Sequence, residues 1–375
     1  MNDAYALIRK TAAPSTLLES ARLADLAWTF HRGLRGYAPT PLRHVDHLAA
    51  DLGIAQLFLK DESFRFGLNA FKGLGASFAM HHWMAAHDLP AEAVFTTATD
   101  GNHGRAVAWM ARQIGRRAVV YMPSIAVAAR IEAIVNEGAK VVLVEEGYDA
   151  AVALAIEAGS THGWIVIQDT ATVEYHEVPG WIGAGYWSSA RELEPIVHPA
   201  DHPAIDVVLV HAGVGTWPAA MTEYYWNRYG ERRPRIVVVE PVGAACVLES
   251  VQAGRPVRAS GSMRTIMAGL NCGFPSLSAF EVLRSGVDAV IAIPDHYAED
   301  AMRRLAGGEP QIVAGESGAA SVAGLIAIMG DDRFGAVRDH VGLGPSSRVL
   351  VWSTEGATDP AGWHRVVGRP VPSLS

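Results

Sequence analysis

The stretch "AVFTTATDGNHGRAVAWMARQIGRRAVVYMP" (residues 93–123) decides the fold class, because it is typical of a strand, a helix and a strand in succession. The outer segments, 93–99 and 117–123, are nearly continuous runs of apolar and β-branched residues, and 102–115 has a helical pattern. Strands without polar alternation belong to parallel sheets that are covered on both faces. Strand–helix–strand units of this kind connect through right-handed crossovers. The sequence therefore predicts a doubly wound α/β architecture.

The same alternation extends over most of the chain. "QLFLK" (56–60) predicts a strand and "FKGLGASFAMHHWMAA" (71–86) a helix, and further strands follow at "AKVVLVEE" and "WIVIQD". A second α/β block starts after "PGWIGAGYWSSA" (179–190). Its predicted strands are 205–213, 235–241, 288–295 and 348–354. Two such blocks indicate two doubly wound parallel-sheet domains that face a cleft, where open sheets bind their ligands.

Composition excludes several classes of protein. The 375 residues carry a net charge of −8 and no basic block, which argues against a nucleic-acid partner. No apolar run reaches membrane-spanning length, and the start "MNDAYALIRKTAAPS" lacks the apolar core of a secretory signal, so a cytoplasmic location is expected. The two cysteines, Cys246 and Cys272, are too few for a disulfide framework or a four-cysteine zinc site. They are expected to be buried thiols, with a labile bridge as the alternative.

Two glycine loops follow predicted strands and precede predicted helices. In "HAGVGTWPAAM" (211–221) the successive amides of Gly213, Val214, Gly215 and Thr216 can form a nest for a phosphate. A close helix–strand packing turn is an equally good explanation of this loop by itself. The loop lacks the Gly-Lys-Ser/Thr ending of a P-loop and does not complete the dinucleotide fingerprint. In "TATDGNHG" (97–104) the first helical amides can hold an anion, or the loop is an ordinary turn with a capping side chain.

A lysine and a hydroxyl complete the pattern. "NAFKGLG" (69–75) places Lys72 where a strand ends and a helix begins, although a lysine that reaches to water is the ordinary alternative. "VWSTEGATDP" (351–360) places Ser353 and Thr354 at a strand end, and "AGESGAAS" (314–321) places Glu316 at the start of an apolar helix. Pyridoxal phosphate would use an amine, phosphate-binding amides and a polar partner for its ring nitrogen. A cleft and the positive end of a helix are expected to keep the Lys72 amine neutral and nucleophilic.

The motifs "FGLNAFKGLG", "TATDGNHGR", "IQDTA", "AGVG", "VVVEP", "TIMAGLNCG", "AGESGA" and "STEGATD" occur in this order between about residue 60 and residue 360. Through them the chain resembles the fold type II (tryptophan-synthase-like) pyridoxal-phosphate enzymes, and among these the diaminopropionate ammonia-lyase family. The resemblance implies a large cofactor-binding domain formed by residues 1–80 and 186–375. It also implies a small mobile domain formed by residues 81–185, which carries the TDGNHG loop, and a homodimer.

The resemblance assigns cofactor-binding residues. It implies that Lys72 binds the cofactor's aldehyde covalently and that Asn102 donates a hydrogen bond to its phenolic oxygen. The loop 212–216 is expected to bind the phosphate through Gly213, Val214, Gly215 and Thr216. Thr354 is expected to bind the pyridine nitrogen, and a hydroxyl at this place does not enforce a protonated ring. This favours elimination over transamination.

Two acidic residues restrict the range of possible substrates. A carboxylate at Asp100, facing the substrate's carboxylate, is costly unless a cation lies between them, and the second amino group of 2,3-diaminopropionate is such a cation. Asp169 is the second acid that matches the family, although a strand-end turn would also use an aspartate. With Asp100 and Asp169 on opposite sides, one enzyme could deprotonate both the D and L forms. Thr99, Asp100, Gly101 and Asp169 are thus the expected substrate-binding residues.

The predicted function is the α,β-elimination of ammonia from 2,3-diaminopropionate (D, L or both), giving pyruvate and ammonia. The alternative is β-elimination or β-replacement on another β-substituted or hydroxy amino acid, as in serine/threonine dehydratases. A non-catalytic pyridoxal-phosphate-binding protein would not need the paired acids. No metal site is expected. Trp217, Pro218 and Ala357 depart from the family pattern, and the segment between Lys72 and the TDGNHG loop is short for the family.

Overall fold

The computed structural model describes residues 4–372 except 89, 91, 146 and 201. Within this part of the chain, the strands form one seven-stranded and one four-stranded sheet. The strands are β1 (Tyr5–Leu7), β2 (Leu42–His44), β3 (Gln56–Asp61), β4 (Val94–Ala98), β5 (Arg117–Pro123), β6 (Lys140–Val144), β7 (Ile165–Val166), β8 (Val207–His211), β9 (Arg235–Pro241), β10 (Ala289–Ile293) and β11 (Arg348–Ser353).

The helices connect and cover these strands. They are α1 (Leu17–Gly33), α2 (Asp46–Leu52), α3 (Gly73–Ala86), α4 (Asn102–Gln113), α5 (Ala128–Asn136), α6 (Tyr148–His162), α7 (Glu177–Arg191), α8 (Thr216–Tyr229), α9 (Cys246–Ala253), α10 (Leu277–Gly286), α11 (Asp295–Gly307), α12 (Ala320–Gly330), α13 (Gly335–Val341) and α14 (Pro360–Val367). None of the helices in the described residues is long and apolar enough to cross a membrane.

The seven-stranded sheet has the order β1-β10-β9-β8-β11-β3-β2. Its five central strands are parallel, as predicted, and their side chains are buried on both faces. In β9, for example, Ile236 and Val238 belong to the hydrophobic cluster on one face, and Val237 and Val239 to the cluster on the other. This alternation follows from the two-residue period of a strand. Continuous apolar sequence was therefore a sound sign of a covered parallel sheet.

The four-stranded sheet has the order β6-β5-β4-β7, and all of its pairs are parallel. It is built from residues between Val94 and Val166, so the chain leaves the large sheet after α3 and returns to it with α7. The α/β fold with parallel sheets that the sequence predicted is confirmed.

The structure differs from the sequence prediction at several element boundaries. The antiparallel edge strands β1 and β2, of three residues each, were not predicted, because so short a strand carries no readable period. The predicted strand 164–169 is a strand only at Ile165–Val166, which leaves Asp169 in a loop. Glu316 does not begin the apolar helix, because α12 starts only at Ala320 and Glu316 lies in the turn before it.

Candidate active site

A cleft lies where the carboxyl ends of β4, β8 and β11 and the start of α3 meet. Its non-protein volume is about 840 Å³, including the part open to solvent, which is ample for a cofactor and a small substrate. Every site residue predicted from the sequence lines it: Lys72, Thr99, Asp100, Gly101, Asn102, Asp169, Gly213, Val214, Gly215, Thr216 and Thr354. Residues far apart in the sequence are thus brought into one pocket at the edge where open α/β sheets bind ligands.

Lys72 lies directly before α3 and forms an ion pair with Asp169. Its Nζ donates a hydrogen bond of 2.7 Å to Asp169 Oδ2. The same Nζ lies 5.4 Å from the ring centre of Phe71 and 5.9 Å from that of Tyr186. The carboxylate of Asp169 therefore binds the lysine and does not serve only to stabilise a local turn. A positively charged lysine between an acid and two ring faces is well stabilised in the free protein.

The prediction of a neutral lysine was wrong for the free protein. Burial alone would lower the pKa of Lys72, but the negative charge of Asp169 and the hydrogen bond that Lys72 donates to it outweigh burial and raise the pKa above its ordinary value. For Asp169, burial raises the pKa, but Lys72 and then His103 lower it to about 2. The pair is therefore an ammonium and a carboxylate. The amine becomes nucleophilic only when its proton leaves, and Asp169 is the acceptor in contact with it.

Asp100 reaches the pocket from the loop between β4 and α4. Burial raises the pKa of its carboxyl to about 6, and the positive charge of Arg130 partly opposes the rise. Within the described residues, no hydrogen bond binds the Asp100 carboxylate. It is therefore a weak acid that can change protonation near neutral pH, unlike Asp169.

The loop between β8 and α8 is shaped to bind an anion. Gly215 has a positive φ of 96°, which a side chain would strain. A Cβ at Gly213 would lie 3.0 Å from both Cys272 Sγ and Gly269 O, so the backbone of Gly213 packs closely against Gly269 and Cys272. The N–H groups of residues 213–215 donate to no acceptor of the described residues, so they are free for a phosphate. The Thr216 hydroxyl donates a 2.6 Å bond to Asp169 O, which ties this loop to the opposite wall.

Asn102 is held by a residue that sequence reasoning had not singled out. Its side-chain Nδ2 donates a short hydrogen bond to Glu355 Oε2, and the Thr358 hydroxyl donates to the same oxygen at 3.1 Å. An amide nitrogen has two hydrogens, so one of them remains for a cofactor oxygen. The role of Asn102 toward the phenolic oxygen stays a prediction, and Glu355 fixes which way its amide faces.

Thr354 is also in contact with a residue that was not predicted. The imidazole of His211 lies between two hydroxyls, with Nε2 2.7 Å from Thr354 Oγ1 and Nδ1 2.8 Å from Ser321 Oγ. His211 ends β8 and Thr354 follows β11, which are neighbouring parallel strands, so their carboxyl ends meet. A polar residue that ends an apolar strand was the available signal for His211.

Two more pocket residues come from the helices of the four-stranded sheet. Arg130 on α5 is buried and lies 4.0 Å from Glu355 Oε1. Its signal in the sequence was its spacing of four residues from the buried Ile134, which puts both on one face of the helix. Tyr148, the first residue of α6, accepts a 3.2 Å hydrogen bond from Gln168 Nε2, and no motif in the sequence marked it.

The positions that depart from the family pattern have different surroundings. Trp217 packs edge-on against Phe71 and Trp352, at ring-centre distances of 4.7 Å and 5.7 Å. Together with Pro218 it forms one wall of the pocket, directly after the loop of residues 212–216. Ala357 lies elsewhere and lines a neighbouring cavity with Arg105 and Arg130. Trp217 therefore shapes this pocket, whereas Ala357 does not.

Both cysteines are free thiols beside the loop of residues 212–216; Cys246 is buried, as expected, whereas Cys272 is only half-buried. The Cys246 thiol donates a 3.5 Å contact to Gly213 O, and the Cys272 thiol approaches the same glycine from the other side. Burial raises the pKa of both thiols above their ordinary value, so neither is a reactive thiolate at neutral pH.

The comparison with known proteins fits this geometry. A family model described as pyridoxal-phosphate dependent enzyme matches residues 34–342. Diaminopropionate ammonia-lyase of Salmonella typhimurium is 38% identical over 363 residues, which cover 90% of each chain. The chain belongs to the diaminopropionate ammonia-lyase family. The Escherichia coli K12 member is also 38% identical, over 93% of this chain and 92% of its own.

Solved structures of this family have the same fold. The Escherichia coli diaminopropionate ammonia-lyase in complex with an aminoacrylate-PLP azomethine reaction intermediate superposes with a TM-score of 0.89 at 36% identity, covering 97% of this chain and 96% of that one. Tomato threonine deaminase, at 19% identity and a TM-score of 0.78, shares the fold. The fold type II assignment is confirmed, and the cofactor of this diaminopropionate ammonia-lyase family member is pyridoxal 5'-phosphate.

Proposed function

We propose that this protein eliminates ammonia from 2,3-diaminopropionate, in its D form, its L form or both, and yields pyruvate and ammonia. The observation that carries the proposal is the grouping of Lys72, Asp169 and Asp100 with a free-amide loop in one pocket. Membership of the diaminopropionate ammonia-lyase family supports the same substrate.

The residues present fit pyridoxal phosphate. The free amides of residues 213–215 would hold its phosphate, Lys72 its aldehyde carbon, Asn102 its phenolic oxygen and Thr354 its ring nitrogen. When bound, the cofactor supplies an electron sink for the charge that develops at the substrate's α-carbon. The protein supplies orientation, proton transfer and exclusion of water around it.

Lys72 and Asp169 form one proton-transfer unit. Because their hydrogen bond is 2.7 Å long, a proton can pass from the ammonium to the carboxylate without a bridging water. After that transfer, Lys72 is a nucleophile and Asp169 an acid. In the proposed reaction, Asp169 then releases this proton to the solvent that reaches the pocket, and its carboxylate is the base for the L isomer.

Asp100 is the proposed base for the D isomer. It enters the pocket from the β4–α4 loop, whereas Asp169 enters from the loop after β7. Arg130 is the positive charge that favours its ionised form. An ionised Asp100 would also attract the second ammonium group of diaminopropionate, which a serine-like substrate lacks.

The experiment is a pair of parallel assays on the purified holoenzyme. D- and L-2,3-diaminopropionate are added separately, the cofactor's absorbance is followed, and pyruvate is measured with lactate dehydrogenase. Spectral change together with pyruvate supports the function. No pyruvate from either isomer, with cofactor bound and the protein folded, would contradict it.

A second candidate is elimination from a hydroxy amino acid. The Escherichia coli relative was crystallised in complex with D-serine, so the pocket of that protein admits a hydroxyl in place of the second amine. The same pyruvate assay with D- and L-serine, with and without added thiols as nucleophiles, separates elimination from β-replacement. A higher kcat/KM for serine than for diaminopropionate would favour this candidate.

We also propose a cytoplasmic homodimer whose small domain, residues 81–185, moves relative to the remainder. Free thiols are in keeping with a reducing compartment. Exposed apolar side chains such as Leu18 and Ile125 are available for contact between subunits. Light scattering after size exclusion tests the dimer, cell fractionation the location, and hydrogen exchange with and without substrate the motion.

A further inference from the structure

A chain of three buried polar side chains runs from α12 to the pocket. Ser321 Oγ lies 2.8 Å from His211 Nδ1, and His211 Nε2 lies 2.7 Å from Thr354 Oγ1. All three side chains are buried, and both His211 and Thr354 line the pocket. The side chain at the pocket end is the one proposed to contact the ring nitrogen of the cofactor.

The imidazole in this chain is uncharged. Burial, and to a smaller extent the positive charge of Lys72, lower the pKa of His211 to about 3. Within the described residues, no carboxylate is hydrogen-bonded to the ring, so nothing compensates for a positive charge there. A neutral imidazole has one nitrogen that donates and one that accepts, and the choice between them fixes the direction of both hydrogen bonds.

The surroundings of Ser321 decide that choice. Among the described residues, the Ser321 hydroxyl is hydrogen-bonded to His211 Nδ1 only. If Nδ1 carried the hydrogen, it would donate to Ser321 Oγ, and the hydroxyl's own hydrogen would be left without an acceptor in a dry interior. Buried donors without a partner are strongly disfavoured. Ser321 therefore donates to Nδ1, and the ring hydrogen is on Nε2.

We propose that His211 is a positioning residue that directs the hydroxyl hydrogen of Thr354 into the pocket. The Nε2–H group donates to Thr354 Oγ1, so the threonine hydroxyl cannot donate its own hydrogen to the imidazole. That hydrogen points away from His211, toward the space that the pocket encloses. Thr354 is thereby a fixed donor, whereas an isolated threonine hydroxyl would rotate between donating and accepting.

A fixed donor selects the ligand atom it meets. An unprotonated pyridine nitrogen accepts a hydrogen bond from Thr354. A protonated pyridine nitrogen is itself a donor, so its hydrogen would be repelled by the hydroxyl hydrogen of Thr354. His211 therefore keeps the ring nitrogen unprotonated by acting through Thr354, without contacting the ring nitrogen itself. This step rests on the proposed contact between Thr354 and the ring nitrogen, but the tautomer of His211 does not.

Nitrogen NMR tests the tautomer directly. The protein is labelled with ¹⁵N-histidine, and the His211 signals are assigned by their loss in His211→Gln. Protonated and unprotonated imidazole nitrogens have well separated shifts, so the spectrum shows which nitrogen carries the hydrogen. We expect the Nε2–H form, both before and after loading with pyridoxal phosphate. The Nδ1–H form would overturn the proposal.

Cofactor carrying ¹⁵N in its ring tests the consequence in the holoenzyme. We expect an unprotonated ring nitrogen in the parent and in His211→Gln, whose amide can still accept from Ser321 and donate to Thr354. In His211→Leu both bonds are gone. There we expect the ring-nitrogen signal to shift toward the protonated form and cofactor affinity to fall by about two- to tenfold, the worth of one ordinary hydrogen bond.

His198→Gln is the matched control. His198 is equally buried, and its ring is hydrogen-bonded to the phenols of Tyr224 and Tyr225, but it does not line the pocket. We expect it to alter thermal stability and leave the ring-nitrogen signal unchanged. An unchanged signal in a folded His211→Leu, or an equal change in His198→Gln, would overturn the proposal. Absence of turnover with the expected tautomer and ring signal would reject the proposed function alone.

Discussion

Lys60 and Lys72 are two ion-paired lysines that lie on either side of the same short segment. Lys60 is fully buried, whereas the side chain of Lys72 is 21% exposed. Lys60 Nζ donates 2.7 Å to Thr40 O and also donates to Glu192 Oε2. Glu192 in turn accepts from Arg65, which also binds Glu62 in a 2.8 Å ion pair. Among the residues that the structure describes, Lys72 Nζ is hydrogen-bonded only to Asp169, and it otherwise faces aromatic rings and open space.

The two clusters differ in how many of their buried polar atoms lack a hydrogen-bond partner. Around Lys60, every buried side-chain nitrogen and oxygen of the cluster has a hydrogen-bond partner within the described residues. Around Lys72, Tyr186 OH, Arg130 Nε and Glu355 Oε1 have none. A buried network that is complete stabilises one conformation, whereas unpartnered polar atoms are costly unless a ligand binds them. Both clusters pair a lysine with a carboxylate, and the completeness of the hydrogen bonding distinguishes the structural cluster from the one proposed to act on a ligand.

Replacing Lys72 by Arg should have the largest effect on activity. The guanidinium keeps a positive charge beside Asp169 but cannot supply the amine, so we expect pyruvate formation to fall by about 10⁴-fold, the upper range for a lost proton-transfer group. The thermal midpoint should stay near that of the parent.

Borohydride reduction of the parent, followed by peptide mapping, checks the assignment that underlies this prediction. The label should appear on the peptide that contains Lys72. A label on Lys60 or Lys140 would contradict the assignment of Lys72 as the lysine that binds the cofactor.

Arg65→Met tests the other cluster. It leaves Glu62 and Glu192 buried with fewer partners, so we expect a loss of about 3–5 kcal/mol in the free energy of unfolding, measured by urea titration. The folded fraction should keep its kcat. Arg333→Met, at a surface pair with Asp331, is the matched control, and its effect on the free energy of unfolding should be much smaller because solvent screens the pair. Equal costs for the two variants would show that the buried network contributes nothing special.

The two acids of the pocket should differ in the isomer they serve. We expect Asp100→Asn to reduce turnover of D-2,3-diaminopropionate by about 10²-fold, and Asp169→Asn to reduce that of the L isomer similarly. Separate kcat/KM measurements with each isomer check this, and the cofactor's absorbance controls for its retention. Uniform loss of both isomers in both variants, with the fold intact, would refute the two-base scheme.

Gly215→Ala should weaken cofactor binding. The backbone there has a φ of 96°, and an added Cβ would lie 3.2 Å from the side chains of Ala279 and Leu283, which costs about 1–3 kcal/mol. Gly342→Ala is the control, because its φ is also positive, at 71°, but its surroundings are open. Both variants should lose some thermal stability. Only Gly215→Ala should raise the dissociation constant of the cofactor, measured by fluorescence titration.

The smallest effect is expected from pH. The pKa of Asp100 is raised from its ordinary value of 3.8 to about 6, and a base acts only when ionised. Turnover of the D isomer should therefore fall by about tenfold between pH 7 and pH 5. Stability responds with the opposite sign: the protonated form of Asp100 favours folding below pH 3.8, and this contribution is lost as pH rises through about 6.

The L isomer provides the internal control for the pH prediction. In the free protein the positive charge of Lys72 lowers the pKa of its proposed base, Asp169, to about 2, well below this range, so Asp169 is not expected to cause an acid limb. An acid limb of equal size for both isomers would assign the titration to another group.

The local sequence was sufficient to predict the α/β framework and about half of the residues that line the pocket. Glycine loops after apolar strands located residues 97–104 and 211–216, because backbone conformation depends on neighbouring residues. Lys72 and Asp169 were identified from motifs, but their ion pair joins residues that lie 97 positions apart, so its effect on the lysine's charge was not predictable.

Two of the residues that sequence reasoning missed, His211 and Glu355, make contacts across long separations in the sequence. His211 contacts side chains 110 and 143 positions away, and Asn102 contacts Glu355 at a separation of 253. A single sequence contains no signal for such pairs, since either residue alone has an ordinary explanation. The short edge strands were missed for a different reason, because their pairing is decided by the neighbouring strand rather than by their own period.

The two three-residue strands that border the seven-stranded sheet, β1 and β2, also govern how the protein behaves in concentrated solution. Each runs antiparallel to its neighbour and is too short to offer a continuous row of free amides and carbonyls. Long, flat sheet edges recruit strands from other molecules and start aggregation, and short edges prevent this. The interior strands of the large sheet are mostly apolar, so the shortness of these two edge strands protects the sheet from intermolecular pairing.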